Sequence, residues 1–246
     1  MSFEGNQIKL QIGARKYTQS HSGTWGHEIY QVLRTTVEEV LFDVGRRINS
    51  LTVLVPANFI SIDEGKIHCE DQFVEIINGA IEGLGFRETR FLAQILELGQ
   101  SVKPMTRALG CTFIYVGNSA TTIATLVSDG MSAIYTTPIG YAHLVNDLVV
   151  VKKIDEAVAR RLLKLAVVTL EPSPKDNYTF ECMGKDWAFP VSAVNDIIKS
   201  RLEELAEELS DHIVQQPVIL FGPEFNRVHG ARNYLGQILG MNVKSA

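Results

Sequence analysis

The sequence predicts an α/β protein, because segments with the pattern of buried strands alternate with segments of helical spacing. Residues 51–56 form a continuous apolar run of strand length between two segments with helical periodicity, 25–48 and 69–84. In the second half, the short apolar run Val218–Phe221 follows a strongly periodic helix over residues 192–213. Strands followed by helices in both halves are typical of the α/β class.

The other elements of the first half follow from local signals. Residues 8–12 alternate between apolar and polar side chains, which predicts a short strand, and residues 13–16 interrupt the pattern as a turn. Thr24 is a candidate cap for the first helix, and Gly85 is placed to end the second. A further strand is predicted over residues 87–93.

A β-hairpin is predicted over residues 111–130, the most informative part of the chain. Strand patterns at 113–116 and 123–127 flank a turn of small and hydroxylic residues, and Asp129 and Gly130 predict a second tight turn before a strand at 131–137. The residues of the first turn are Gly117, Asn118, Ser119, Ala120, Thr121 and Thr122. Such a turn can direct backbone N–H groups at a phosphate. Small residues also suit a tight turn for steric reasons alone, so both interpretations stay open.

The second half is predicted to be mainly helical. Helices are expected at 139–151, 155–168 and 227–239, in addition to 192–213. Residues 171–190 are rich in proline and are interpreted as a loop or small subdomain. That segment carries five large apolar side chains, Tyr178, Phe180, Met183, Trp187 and Phe189. They are either a surface for a partner or the core of the subdomain.

The composition excludes several classes of protein. With 246 residues, of which 46% are hydrophobic, the chain is long enough for a substantial core. A net charge of −5 argues against a broad nucleic-acid surface, which needs clustered positive charge. Three cysteines without a Cys-x-x-Cys spacing indicate a reducing compartment. We expect a cytoplasmic globular protein, since neither a signal peptide nor a membrane span is visible.

The order of the elements resembles the actin-like ATPase superfamily, which includes actin, sugar kinases and heat-shock chaperones. Residues 52–59, Thr-Val-Leu-Val-Pro-Ala-Asn-Phe, are similar to the chaperone strand that ends in Val-Pro-Ala-x-Phe. Residues 136–147 look like the segment that follows the second phosphate loop in the bacterial cell-division actin. Residues 197–209 and 218–222 look like the late helix and adenosine-loop strand of that protein. Bacterial cell-division and pilus-assembly relatives give the nearest likeness.

The resemblance implies an actin-like, ribonuclease-H-like fold of two lobes, compact and without an inserted subdomain in the first lobe. The expected lobes are residues 1–120 and residues 121–246, with a small subdomain around 150–215. In this arrangement the strands at 8–12, 53–55 and 113–116 would share one sheet. We identify no internal repeat in the sequence.

The resemblance also implies where nucleotide would bind. The three loops of the family correspond to Gly13, Ala14, Arg15 and Lys16, to the turn from Gly117 to Thr122, and to Gly222, Pro223 and Glu224. The family places metal-binding aspartates where this chain has Gln11 and Tyr115. Carboxylates hold the Mg²⁺ that neutralises the phosphates, and a tyrosine cannot replace them. Pro223 also removes a backbone donor from the adenosine loop.

A few residues are candidates for orienting the attacking water, for offsetting the phosphate charge or for binding a metal. Gln94 falls where relatives keep the residue that orients the attacking water, but it also suits the start of a helix. Arg15 and Lys16 would offset phosphate charge without a metal, or else lie in a solvated turn. His143 and Asp147 have i, i+4 spacing and are either metal ligands or a surface pair.

Three functions are compatible with these features. The first is a degenerate actin-like scaffold that binds a protein partner or a second copy without a cofactor, in a bacterial cytoskeletal, division or secretion assembly. The second is an active switch that binds ATP with Mg²⁺. The third is a small-molecule kinase, for which no aspartate is placed as a general base. Loss of both metal carboxylates and of the glycine loop favours the scaffold. No nucleic-acid partner and no membrane anchor are expected.

Overall fold

The chain forms two compact units, Met1–Gln100 and Ser101–Ala246, in a computed structural model. The structure describes residues 1–4, 7–12, 15–20, 27–45, 47–63, 66–128, 130–168 and 171–245. Strands and helices alternate in both units, so the predicted α/β class is confirmed. The candidate cap Thr24 and the turn residue Asp129 lie outside the described residues.

The first unit is a twisted sheet with helices packed on one side. Its elements are β1 (Ser2–Glu4), β2 (Gln7–Ile12), β3 (Arg15–Ser20), α1 (His27–Val44), β4 (Ser50–Val55), β5 (Ile60–Asp63), β6 (Lys66–Cys69), α2 (Asp71–Ile81), β7 (Glu88–Ala93) and α3 (Gln94–Gly99). Strands β1, β2 and β3 are antiparallel, and β4 and β7 are parallel. The Leu54 N–H donates to the Met1 carbonyl at 2.7 Å, and the Met1 amine donates to the Thr52 carbonyl at 2.7 Å. The strands therefore follow the order β3-β2-β1-β4-β7.

The core of the first unit lies between this sheet and helices α1 and α2. Ile29 and Leu33 of α1 are buried, as are Phe73 and Ile77 of α2. These pairs are four residues apart, which places each pair on one face of its helix. Val53 at the centre of β4 is fully buried beneath them.

The second unit repeats the same sheet order. Its elements are α4 (Pro104–Leu109), β8 (Cys111–Val116), β9 (Thr121–Val127), β10 (Gly130–Thr137), α5 (Tyr141–Lys152), α6 (Glu156–Leu165), β11 (Asn177–Cys182), β12 (Lys185–Pro190), α7 (Val191–Ser210), β13 (Val218–Phe221), α8 (Ala231–Ile238) and β14 (Val243–Ser245). The sheet order is β10-β9-β8-β13-β14, with β8, β9 and β10 antiparallel and β8, β13 and β14 parallel. Each unit thus places an antiparallel three-stranded meander beside two later strands.

The prediction that residues 8–12, 53–55 and 113–116 share one sheet is wrong. Strand β8 pairs with β9 and β13 in the second unit, whereas β2 and β4 lie in the first. The short turn between β8 and β9 cannot carry the chain from one sheet to another, so both strands stay together. The chain divides after Gln100 and not, as expected, after residue 120.

Candidate functional site

Two of the three predicted nucleotide loops lie side by side at the carboxyl ends of two neighbouring strands in the sheet of the second unit. Strands β8 and β13 are parallel neighbours, with Tyr115 opposite Phe221. Their carboxyl ends therefore bring the turn after Val116 next to Gly222. A Cβ atom on Gly222 would lie 2.8 Å from the Val116 carbonyl oxygen, so only glycine fits at this distance. Crevices at the carboxyl ends of parallel strands are common ligand sites in α/β proteins.

The hairpin turn is fastened to the start of helix α5. The Tyr141 N–H donates to the Gly117 carbonyl at 2.9 Å, and the Ala142 N–H donates to the Asn118 carbonyl at 2.8 Å. The Gly117 N–H donates across the turn to the Ala120 carbonyl at 2.9 Å. The first amides of α5 are thus occupied by the turn and are not directed at a ligand. This arrangement supports the steric interpretation of the small residues.

Only the tip of the turn faces solvent. Thr121 is fully buried, and its hydroxyl donates to the Ile139 carbonyl at 2.6 Å. Thr122 is also buried, with its hydroxyl 3.4 Å from that of Thr136. Asn118 and Ser119 are exposed, and their amides have no hydrogen-bond partner among the described residues. The part of the turn available to an anion is therefore these two residues.

The residues at the positions predicted for the family's carboxylate and glycine loop have structural contacts of their own. The Tyr115 ring lies 3.3 Å from the Cβ position of Gly117 and so packs against the base of the turn. Pro223 is exposed. The Glu224 carboxylate accepts hydrogen bonds from the Arg227 guanidinium at 2.9 Å. The one carboxylate of the predicted adenosine loop is therefore already paired with a cation.

A buried tyrosine connects this region to helix α6. Burial raises the pKa of Tyr141, while the nearby Arg160 guanidinium acts in the opposite direction. Arg160 lies 5.8 Å from the centre of the Tyr141 ring, and it also binds the Glu156 carboxylate at 2.7 Å. Both arginines near the turns, Arg160 and Arg227, are neutralised by carboxylates. The region consequently offers little free positive charge to a triphosphate.

The remaining predicted loop residues belong to the first unit. Gly13 and Ala14 lie outside the described residues. Arg15 and Lys16 were expected in a turn, but they begin strand β3, and the Arg15 guanidinium is 3.4 Å from the Asp43 carboxylate. Gln94 is the first residue of helix α3, in agreement with its interpretation as a helix start.

The candidate metal pair on helix α5 has another role. The Asp147 carboxylate accepts two hydrogen bonds from the Arg201 guanidinium, at 2.7 and 2.8 Å. The Nδ1 atom of His143 accepts the Gly140 N–H at 3.1 Å and so helps to begin the helix. Within the described part of the chain, no group of three metal-ligating side chains is present. Both side chains therefore have contacts that stabilise the fold.

The apolar segment predicted as a loop or small subdomain contains the hairpin of β11 and β12. Tyr178, Phe180 and Trp187 are partly buried on one face, and Phe189 is 9% exposed. The rings of Trp187 and Phe189 stack with centroids 5.8 Å apart. These side chains pack on the main core of the second unit, so they are core residues and not a free surface. Met183 is the exception, since it is exposed at the hairpin turn.

A groove between β3 and α1 was missed by sequence reasoning. Residues 13–16 were expected to form a turn, because they interrupt the alternation of residues 8–12, and no strand was predicted after them. The chain from Arg15 to Ser20 forms an edge strand, and a cavity of about 210 Å³ separates part of it from α1. Only the alternation of Tyr17 with polar neighbours hinted at this strand.

Comparison with known proteins finds solved structures of similar fold. No protein-family model matches the sequence. No curated protein matches it. Among solved structures, MreB5 of Spiroplasma citri bound to AMPPNP superposes with a TM-score of 0.70 at 10% identity, covering 96% of this chain and 76% of that one. A chain of the PilM–PilN type IV pilus biogenesis complex matches with a TM-score of 0.64 at 12% identity. The match covers 100% of this chain and 86% of that one.

A third solved structure has the same fold. The ethanolamine utilization protein EutJ from Carboxydothermus hydrogenoformans matches with a TM-score of 0.60 at 15% identity, covering 94% of this chain and 75% of EutJ. Across the described residues, no helix combines the length and apolar character needed to cross a membrane. The repeated sheet order and these superpositions show that the chain has the two-lobed actin-like α/β fold.

Proposed function

We propose that this chain is an actin-like scaffold that binds nucleotide weakly or not at all and works by binding other proteins. Its setting would be a cytoskeletal, division or secretion assembly in the bacterial cytoplasm. The similar structures, MreB5 and a chain of a PilM–PilN pilus complex, support this general kind of protein. No enzymatic activity is required by the proposal.

The observation that carries the proposal is the end of strand β8. A metal-binding loop needs a carboxylate where Mg²⁺ would bridge the phosphates. Here Tyr115 packs against Gly117, and the Glu224 carboxylate in the neighbouring loop is bound by Arg227. Without a carboxylate to hold the metal, the charge of a triphosphate would meet only the tip of the turn.

The experiment that tests the scaffold role compares association with and without nucleotide. Sedimentation velocity of the purified chain at several protein concentrations should give the same distribution of species in buffer, in Mg·ATP and in Mg·ADP. A change of oligomeric state that depends on the nucleotide would contradict the proposal. It would favour the switch function instead.

The alternative function, an ATP-binding switch, is favoured by one observation. The amides of Asn118 and Ser119 face solvent at the tip of the turn, where they can donate to an anion. MreB5 of Spiroplasma citri has been solved with AMPPNP and with ADP. Release of inorganic phosphate from Mg·ATP above the rate without protein, lost in the Ser119→Pro variant, would support this alternative.

A further inference from the structure

The first unit has an open strand edge beside helix α1. Strand β3 pairs with β2 along one edge, and no other strand of the described residues pairs with its opposite edge. Five of its six side chains are exposed, and only Tyr17 is half-buried. An open edge presents backbone N–H and C=O groups that can pair with another extended segment.

A groove runs between this edge and the helix. Its cavity of about 210 Å³ has Thr18 and Gln19 of β3 on one wall and Glu39 and Asp43 of α1 on the other. The buried residues Thr36 and Val40 of α1 lie at its base. A groove between an edge strand and a helix admits an added strand, whose alternate side chains enter the groove.

The helical wall of the groove is acidic. Glu39 and Asp43 are exposed and lie one turn apart on α1, and Glu39 has no ion pair within the described chain. The Asp43 carboxylate accepts the Tyr17 hydroxyl at 2.5 Å and is 3.4 Å from the Arg15 guanidinium. Arg15 thus already places a cation of this chain against Asp43. Complementary charge at such a surface selects a basic occupant.

We propose that this β3–α1 groove binds an extended, basic segment of a protein partner. The segment pairs with the open edge of β3 and places a lysine or arginine side chain between Glu39 and Asp43. Backbone hydrogen bonds supply the affinity, and the two carboxylates select the partner. This inference rests on the proposed scaffold function and names its partner class.

The test selects peptides of strand length from a random displayed library on the full chain and measures their affinity by fluorescence anisotropy. Enriched peptides should carry lysine or arginine among β-branched residues. Their affinity should fall about tenfold for the double variant Glu39→Gln, Asp43→Asn, since each exposed ion pair contributes up to about 1 kcal/mol. The control is Glu38→Gln, whose carboxylate pairs with Arg34 at 3.0 Å and does not line the groove; it should leave the affinity unchanged.

A variant with the opposite effect sharpens the test. Arg15→Gln removes the cation that already pairs with Asp43, so basic peptides should bind about threefold more tightly. Hydrogen exchange should show peptide-dependent protection of the amides of β3. The circular dichroism spectra of all variants should match that of the parent chain, because the changed side chains are exposed.

Three results would overturn the proposal. The first is that the affinity of the enriched peptides is unchanged in the double variant Glu39→Gln, Asp43→Asn. The second is that the peptides protect amides outside β3 from hydrogen exchange and not those of β3. The third is concentration-dependent self-association that the double variant abolishes, because a second copy would then be the occupant. Peptides that bind elsewhere would leave the scaffold function intact. Tight binding of Mg·ATP would contradict the scaffold function without affecting this result.

Discussion

Gly140 sets the distance between the hairpin turn and helix α5. A Cβ atom at this position would lie 2.6 Å from the Ala120 nitrogen and 2.6 Å from the Asn118 oxygen, and both are backbone atoms that cannot rotate away. The hydrogen bonds from Tyr141 and Ala142 to the turn depend on this close approach. The sequence showed the turn, because small residues between two apolar strands are a strong local signal. It did not show that the turn packs on a helix that begins some twenty residues later.

The Gly140→Ala variant should lower the free energy of unfolding by about 2–3 kcal/mol, because the added methyl group forces the turn and helix apart. Gly130→Ala is the matched control, since its Cβ would meet nothing closer than 3.6 Å. That variant should be neutral or more stable by up to about 1 kcal/mol. Urea denaturation followed by circular dichroism measures both. Equal effects of the two substitutions would contradict the packing described for Gly140.

Asp147 and Arg201 form the best-shielded ion pair described in the second unit. Their side chains are 20% and 22% exposed, and the contact joins α5 to α7 through two hydrogen bonds. Hydrogen bonding to Asp147 raises the pKa of Arg201, so the guanidinium stays charged. The i, i+4 spacing of His143 and Asp147 left a metal pair and a surface pair both open, because a sequence does not reveal a partner on a distant helix.

Arg201→Ala should destabilise the chain by about 2 kcal/mol, because it leaves the Asp147 carboxylate partly buried without its partner. Arg90→Ala removes an exposed pair with Glu88 and should leave the free energy of unfolding nearly unchanged, because solvent screens that pair. Urea denaturation measures the free energy of unfolding of both variants and of the double variant Asp147→Ala, Arg201→Ala. The double variant shows how much of the loss in Arg201→Ala comes from leaving the Asp147 carboxylate without its partner. A loss in Arg201→Ala no larger than in Arg90→Ala would show that solvent already screens the pair.

At the scale of elements, strands with polar sequences were the hardest to predict. Strand β3 has one half-buried side chain, so it lacks both the alternation that identified β2 and the apolar run that identified β8. The β11–β12 hairpin does alternate, with Tyr178 and Phe180 inward between exposed neighbours, but the prolines of residues 171–190 left a loop and a small subdomain both open. The periodic helices and apolar strands were predicted because burial of one face fixes their pattern.

The β11–β12 hairpin should contribute to stability through its inward face. Phe189→Ser should lower the free energy of unfolding by about 3 kcal/mol, and Trp187→Ser should also lower it, because both side chains pack on the core. Met183→Ser, at the exposed turn of the same hairpin, should change it by less than about 0.5 kcal/mol. Thermal unfolding of the three variants provides the comparison. Unchanged stability in Trp187→Ser and Phe189→Ser would contradict a core role and indicate instead that these residues form a surface for a partner.

At the scale of the whole molecule, the two units share a sheet order, although the sequence contains no recognisable repeat that predicts it. Their common feature is the order of strands, which depends on pairing between distant segments and leaves only a weak trace in the residues. The resemblance to actin-like proteins predicted the fold, and it rested on short motifs such as the strand end at Val55-Pro56. The position of the lobe boundary could not be predicted, because an apolar strand such as β8 does not reveal which sheet it joins.

The central proposal is that the chain binds nucleotide weakly or not at all. Tyr115 stands at the position that the resemblance assigns to a metal-binding carboxylate, and the Glu224 carboxylate is paired with Arg227. The direct measurement is calorimetric titration of the purified chain with ATP, with and without Mg²⁺. We expect no saturable heat at micromolar concentrations, and any weak binding should be the same with and without the metal. A sub-micromolar dissociation constant that requires Mg²⁺ would contradict the account.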